Sequence, residues 1–180
     1  MRILQENVAA VLIDIQEKLF PHISHNDVLL INCLKLLEGL QTLEIPIRIT
    51  QQYSKGLGQT IPQISGKFEK FSFIEKNSFS CCDEPLFMNG FENLKKKNVL
   101  LFGIETHVCV LQTCLDLIEK GYIPVIVEDC VGSRKEKDKS VALERMRQEG
   151  AIISCYESIL LELTRYSGTV RFKKISGIIK

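Results

Sequence analysis

The stretch NVLLFGIETHVCVLQTCLDLIEKGYIPVIVEDCV, residues 98–131, decides the fold. It begins with an apolar strand at 98–104, continues with an amphipathic helix at 106–122 and ends with a second apolar strand at 123–131. Two buried strands joined by a helix form a βαβ unit, in which the strands lie parallel and the helix covers one face of the sheet. This stretch therefore predicts an α/β protein.

The same alternation continues on both sides of this unit. Further strands are predicted at 8–15, 45–50 and 70–76 and from residue 151 onwards, and further helices at 28–43 and 135–150, with 91–97 as the end of another helix. We predict a three-layer α-β-α fold with a mostly parallel six-stranded sheet in the Rossmann-like order 3-2-1-4-5-6, and a single domain over residues 1–180. The tail, residues 169–180, either packs as a terminal arm or reaches a neighbouring subunit.

Composition argues against several partners. The 23 basic and 22 acidic residues give a net charge of +1, which does not favour binding to nucleic acid or to an acidic membrane surface. The N-terminal residues lack a signal-peptide pattern, and no apolar run approaches the roughly 20 residues that a membrane span needs. The seven cysteines are odd in number and several lie inside apolar runs, so we expect reduced thiols and a cytoplasmic protein.

Topology places two reactive side chains near each other. In open α/β sheets, sites form at the carboxyl ends of the strands, where the strand order reverses. With the order 3-2-1-4-5-6, strands one and four are neighbours at that point. Asp14 lies near the end of strand one, and Cys109 opens the helix after strand four. The strand order thus predicts that Asp14 and Cys109 face the same crevice.

Cys109 could act as a nucleophile. A helix N-terminus favours a thiolate and should lower the pKa of a cysteine in the first turn, and Asp14 could accept its proton. His107 is excluded as the base, because residues two apart on a helix point about 200° away from each other. The alternative is that Cys109 is a small buried filler. That interpretation is favoured for the cysteines inside other apolar patterns, namely Cys33, Cys114, Cys130 and Cys155.

Four motifs in register resemble the isochorismatase-like cysteine hydrolases, in the branch without a metal. They are VLIDIQEKLF at 11–20, EKNSFS at 75–80, GIETHVCVLQTCLDLIEKGY at 103–122 and VEDCVGSR at 127–134. The resemblance continues to GAIISCYESILLEL at 150–163. It implies the same fold, a hydrolase activity and assembly into a homo-oligomer.

The resemblance also implies a catalytic triad. Asp14 would be the base, Lys76 would stabilise the thiolate and the developing charge, and Cys109 would be the nucleophile. The backbone N–H groups of Glu105 and Cys109 would form the oxyanion hole, and a cis peptide would precede Glu105. Candidates for the substrate pocket are Gln16, Phe20, Gln52, Tyr53, Thr106 and His107.

Cofactors are not expected. The nicotinamidase branch of the family carries an Asp-x-His metal site after strand two, whereas this chain has QQYSKGLGQT there. Since no carboxylate or histidine occurs between Gln51 and Ser65, we predict no metal ion and no other cofactor.

The function that these residues predict is hydrolysis of a small amide-like C–N bond through a thioester on the cysteine. Two alternatives stay open. One is an isochorismatase-type vinyl-ether hydrolase, and the other is a protein that keeps the fold for a non-catalytic or redox-sensing role.

Overall fold

A computed structural model describes residues 2–180 of the chain. Within them, six strands form one sheet in the order β3-β2-β1-β4-β5-β6, and every neighbouring pair is parallel. The strands are β1 (Val8–Ile13), β2 (Ile47–Gln52), β3 (Ile74–Lys76), β4 (Asn98–Ile104), β5 (Ile123–Gly132) and β6 (Ile152–Ser154). The predicted fold class and strand order are confirmed.

Helices cover both faces of this sheet. They are α1 (Asn26–Thr42), α2 (Ser54–Leu57), α3 (Pro62–Ser65), α4 (Pro85–Glu92), α5 (Leu111–Glu119), α6 (Glu136–Gln148), α7 (Tyr156–Thr164) and α8 (Val170–Ile179). No helix within residues 2–180 combines the length and the apolarity needed to cross a membrane.

The two central strands explain why the sheet sits in the middle of the molecule. All residues of β1 and β4 are buried, as expected for parallel strands with helices on both faces. Because side chains alternate along a strand, Ala10 and Leu12 join the core on the face of α1, whereas Val11 and Ile13 join the core on the face of α5.

Several predicted boundaries differ from the structure. The first strand was predicted to residue 15 but ends at Ile13, because Asp14 has a positive φ of 56° and turns the chain out of the sheet. The third strand was predicted over 70–76 but spans only Ile74–Lys76. The aromatic side chains before it, Phe68, Phe71 and Phe73, contact one another instead.

The tail is a helix of this chain's own core. Helix α8 packs against α1 and α7, and Ile175 in its middle is completely buried. Ile178 and Ile179 also pack against the same core. Of the two possibilities for residues 169–180, the structure therefore has the terminal arm, because the apolar face of α8 is already covered within the chain.

Gly103 lets β4 approach β1 at the point where the strand order reverses. It pairs with Ile13 and has a φ of 139°. A Cβ atom at Gly103 would collide with the carbonyl oxygen of Ile13. Glycine is the residue that tolerates both this conformation and this contact, so the crevice of the site depends on it.

Candidate active site

Four neighbouring strands place the candidate residues at one edge of the sheet. Ile13 of β1 pairs with Thr50 of β2 and with Gly103 of β4, and Gln52 of β2 pairs with Lys76 of β3. The carboxyl ends of these strands therefore lie side by side. Asp14 follows β1, Lys76 ends β3, and Cys109 lies five residues after the end of β4.

Three of these strands are followed directly by a residue with an unusual backbone conformation. Asp14 and Glu105 both have φ of 56°, and Tyr53 has φ of 37°. Residues other than glycine seldom adopt positive φ, and such strain concentrates at functional sites. The strained positions follow β1, β2 and β4, which surround the expected site.

The turn after β4 differs from both expectations for it. The resemblance implied a cis peptide before Glu105, but no cis peptide occurs within residues 2–180. The chain turns instead through the left-handed conformation of Glu105. The helix predicted over 106–122 then begins as a π-helical turn, Thr106–Val110, and continues as α5 up to Glu119. Such π turns are frequently found at functional sites.

Lys76 forms a buried ion pair with Asp14. The Lys76 Nζ lies 2.7 Å from Asp14 Oδ2, and both side chains are at most 1% exposed. Lys76 also donates to three protein oxygens, namely Gln52 Oε1 at 2.6 Å, Phe79 O at 3.1 Å and Ser78 O at 3.2 Å. Burial is the largest single influence and lowers the pKa of Lys76, but the negative charge of Asp14 together with Cys109 and Cys81 exceeds it, so the pKa is raised overall. Lys76 is therefore a charged ammonium at neutral pH.

Cys109 completes the cluster. Its Sγ lies 3.6 Å from Lys76 Nζ, and its residue is 5% exposed. Burial raises the pKa of the Cys109 thiol, and the negative charge of Asp14 raises it further, while Lys76 opposes both effects. The lowered pKa expected from the helix N-terminus is therefore wrong for the resting site, because burial and Asp14 dominate. The resting site combines a protonated thiol with a Lys⁺–Asp⁻ pair.

Asp14 has a second partner that the sequence did not reveal. The Thr50 hydroxyl donates to Asp14 Oδ1 at 2.8 Å, and Thr50 is completely buried. A threonine directly after Ile49 in β2 was the available signal, but only the strand register shows that it faces Asp14.

Two glutamines proposed for the substrate pocket have protein partners. Gln16 is completely buried, and its amide donates to Gln52 O at 2.9 Å and Gly58 O at 2.8 Å and accepts from Gln52 N–H at 2.7 Å. Gln16 therefore fastens β2 and the following loop to β1. Gln52, by contrast, is half-buried beside the triad, with its Oε1 on Lys76 and 4.0 Å from Cys109 Sγ.

The two aromatic pocket candidates lie in different surroundings. Phe20 is half-buried and packs against the core on the face of α1. Tyr53 is 49% exposed, and its ring lies close to Gly56 in the same loop. Neither contact involves a triad side chain.

Thr106 and His107 lie in the π turn. Thr106 is buried, and its hydroxyl has no hydrogen-bond partner among residues 2–180. The His107 ring contacts Ser133 Oγ at 3.0 Å and Glu105 Oε2 at 3.5 Å. It also lines a surface cavity of about 270 Å³ whose walls include none of the triad residues. These contacts agree with the exclusion of His107 as the base.

Glu105 is held on its side-chain carboxylate and on its backbone. Arg134, after β5, donates from Nε to Glu105 Oε1 at 3.0 Å. The Glu105 carbonyl accepts from Val108 N–H at 2.8 Å, so that N–H is not available to a ligand. Arg134 was not singled out from the sequence, although it ends the motif VEDCVGSR.

Similarity to known proteins identifies the family of this chain. Residues 8–158 match the isochorismatase domain family. An isochorismatase family protein 1B from Dictyostelium discoideum is 38% identical over 183 residues, covering 99% of this chain and 89% of the relative. The structure of MAR1 ribonuclease from Caenorhabditis elegans is 36% identical, with a TM-score of 0.93 over 99% of this chain and 92% of that chain.

A further structural neighbour is more distant in sequence. The Escherichia coli YcaC protein, described as an octameric hydrolase of unknown specificity, has a TM-score of 0.93 at 23% identity, covering 99% of this chain and 89% of that one. It shares the fold. The match over residues 8–158 and the Dictyostelium relative show that the chain belongs to the isochorismatase family of hydrolases.

Proposed function

We propose that this isochorismatase-family chain, acting as one domain over residues 1–180, hydrolyses a small amide-like C–N bond through a thioester on Cys109. The observation that carries the proposal is the position of Lys76 Nζ, 2.7 Å from Asp14 Oδ2 and 3.6 Å from Cys109 Sγ. A buried thiol beside a carboxylate and an ammonium has a proton acceptor and a cation for the thiolate, which nucleophilic catalysis by cysteine needs.

Acylation is the first half of the proposed reaction. Asp14 takes the proton from Cys109, and the sulfur attacks the carbonyl carbon of the substrate to form a C–S bond. The carbonyl oxygen becomes an oxyanion, which the N–H groups of Glu105 and Cys109 would stabilise. The oxyanion then collapses, the C–N bond breaks, and Asp14 returns the proton to the leaving amine or ammonia.

Deacylation is the second half. Asp14 takes a proton from a water molecule while the oxygen of that water attacks the thioester carbon. The C–S bond breaks, the Cys109 sulfur regains the proton, and a carboxylic acid leaves. No cofactor or metal enters either half.

Lys76 has an electrostatic role. Its pKa is raised in the resting site, so Lys76 enters the reaction as an ammonium and stabilises the thiolate by its charge, without exchanging a proton. Gln52 and the carbonyl groups of Ser78 and Phe79 hold the ammonium between Asp14 and Cys109. This arrangement keeps a single positive charge beside the place where negative charge develops on sulfur.

Two other activities are alternatives that an assay can separate. An isochorismatase-type vinyl-ether hydrolysis is suggested by the family itself. A ribonuclease activity is suggested by the name of the similar nematode protein. The balance of 23 basic and 22 acidic residues gives little attraction for RNA. The buried cluster of Asp14, Lys76 and Cys109 favours hydrolysis of an amide over these two activities.

The protein's surroundings are also part of the proposal. We expect a cytoplasmic protein, where its free cysteines stay reduced. We also expect a homo-oligomer, and the exposed apolar side chains Val28 and Ile31 of α1 and Val141 of α6 are consistent with contacts between copies. Light scattering on the purified protein would give the number of subunits.

A substrate panel tests the activity. Wild-type protein and Cys109→Ala are incubated with small amides, ureides, vinyl ethers and an RNA oligonucleotide. The proposal predicts that at least one amide or ureide is hydrolysed by wild type and not by Cys109→Ala. Turnover confined to a vinyl ether or to RNA, or turnover that survives Cys109→Ala, contradicts it.

A further inference from the structure

Thr50 lies next to the triad through its hydrogen bond to Asp14. It is completely buried in β2, opposite Ile13 in the register. Its hydroxyl donates to Asp14 Oδ1 at 2.8 Å, while Lys76 lies on the other oxygen, Oδ2, at 2.7 Å. The two oxygens of Asp14 are thus held from two different strands.

A second thiol contacts the Thr50 hydroxyl and leaves its proton free for Asp14. The Cys81 Sγ lies 3.8 Å from Thr50 Oγ1 as a donor, and Cys81 is also completely buried. A hydroxyl has one proton to donate and two lone pairs with which to accept. Because an ionised carboxylate can only accept, the Thr50 proton points to Asp14, and Cys81 occupies a lone pair of the hydroxyl.

Lys76 cannot fix the orientation of Asp14 by itself. Its three ammonium protons are directed to Gln52 Oε1, to the two backbone carbonyls beside it and to Cys109 Sγ, so Asp14 Oδ2 receives an ion-pair contact at 2.7 Å but no well-aligned hydrogen bond. Rotation of the Asp14 carboxylate about its terminal bond is soft, since such torsions are broad. Thr50 supplies the contact that holds the carboxylate in one plane.

We propose that Thr50 is a positioning residue, which holds the Asp14 carboxylate in the orientation that accepts the Cys109 proton. The inference rests on the proposed function, because it assigns Thr50 a role in activating the same thiol. A misplacement of a reacting group by about 1 Å can cost a factor of about 100 in rate. Loss of the Thr50 hydroxyl should therefore slow the reaction of Cys109.

Another threonine of this chain provides a matched control. Thr113 of α5 is also completely buried, and its hydroxyl accepts a hydrogen bond from Cys81 N–H at 3.0 Å. Replacing either threonine by valine, a residue of nearly the same size, removes one buried hydroxyl. Only the change at Thr50 removes a hydrogen bond to Asp14.

The experiment measures the second-order rate of iodoacetamide alkylation at Cys109, resolved by peptide mass spectrometry, in four proteins. These are wild type, Thr50→Val, Thr50→Ser and Thr113→Val, each checked for its thermal unfolding midpoint. Thr50→Val should react about 10-fold to 100-fold more slowly than wild type. Thr50→Ser should recover most of the rate, and Thr113→Val should stay within about threefold of wild type.

Three results would overturn the inference. They are an unchanged rate in Thr50→Val, an equal loss in Thr113→Val, and no recovery in Thr50→Ser although it unfolds at the wild-type temperature. If wild-type Cys109 itself reacts no faster than an ordinary buried thiol, the proposed function has failed, which is a different outcome. The serine variant keeps the test valid even if Thr50→Val folds poorly.

Discussion

Cys109 and Cys114 lie five residues apart, and both are buried against the same core. Cys109 belongs to the π turn Thr106–Val110, and Cys114 to the regular helix α5. Burial raises the pKa of both thiols, for Cys114 to about 12. What separates them is their polar neighbours: Cys109 has an ammonium at 3.6 Å and a carboxylate beside that ammonium.

Under the proposed function, a low resting pKa is not what distinguishes the nucleophile Cys109 from the filler Cys114. A thiol that stays protonated at rest can still react when an adjacent base removes its proton during the attack. Cys114 has no cation among the groups that shift its pKa, since burial and the negative charge of Glu149 both disfavour its thiolate. The difference lies in the partners that each position receives from the strands.

The largest expected effect is the difference in turnover between Cys109→Ala and Cys114→Ala. Cys109→Ala should abolish turnover, with a loss of at least about 10⁴-fold, because the covalent route is removed. Cys114→Ala should keep turnover within about threefold and lose about 1 to 3 kcal/mol of unfolding free energy, since it only leaves a small cavity. Steady-state kinetics and urea unfolding of both variants check this. Comparable losses of turnover in the two variants would remove the distinction.

Removal of the cation should come next in size. Lys76→Met leaves Asp14 buried without its charge partner, so it should cost about 3 to 5 kcal/mol of stability and about 10³-fold in turnover. The double variant Asp14→Asn/Lys76→Met should regain much of the stability, because no buried charge is left unpaired, but none of the activity. Chemical unfolding and kinetics of the single and double variants measure both. Full activity in Lys76→Met would show that the thiol works without the ammonium.

The burial of the Cys114 thiol should make the free energy of unfolding fall at alkaline pH. Its pKa is raised from 9.0 to about 12. The folded state therefore keeps the proton that the unfolded chain releases, so this stability is full below pH 9 and is lost as the pH rises towards 12. Wild type should lose about 3 kcal/mol more than Cys114→Ala between pH 8 and 12. Urea unfolding at several pH values should give a constant difference in unfolding free energy between wild type and Cys114→Ala below pH 8.5. Above pH 8.5 this difference should shrink. A constant gap up to pH 12 contradicts the assignment.

Much of the fold was predictable because buried parallel strands are encoded in short apolar runs. The runs at β1, β4 and β5 are long and clear, so the alternation of strands and helices was predictable. The strand order was taken from the common order of such folds, and it brought Asp14 and Cys109 to the same crevice. Strand β3 has only three residues. Three residues are too few to show a period, so Lys76 could be identified only through the family resemblance.

The finer geometry of the site was not predictable, for physical reasons. The positive φ of Asp14 and Glu105 is a conformation that tertiary contacts impose on residues that do not favour it. The π turn likewise depends on the surrounding packing rather than on local preference. The contact of Thr50 with Asp14 follows from the register of β2 against β1, which periodicity does not fix.

Competitive alkylation of Cys109 and Cys114 within one molecule tests the central claim most directly. Wild type and Asp14→Asn are treated with limiting iodoacetamide at pH 7.5, and the two cysteines are quantified in peptides by mass spectrometry. The account predicts that Cys109 of wild type reacts at least about 100-fold faster than Cys114, and that Asp14→Asn removes most of this difference. Equal rates at the two cysteines in wild type, or an unchanged ratio in Asp14→Asn, would contradict it.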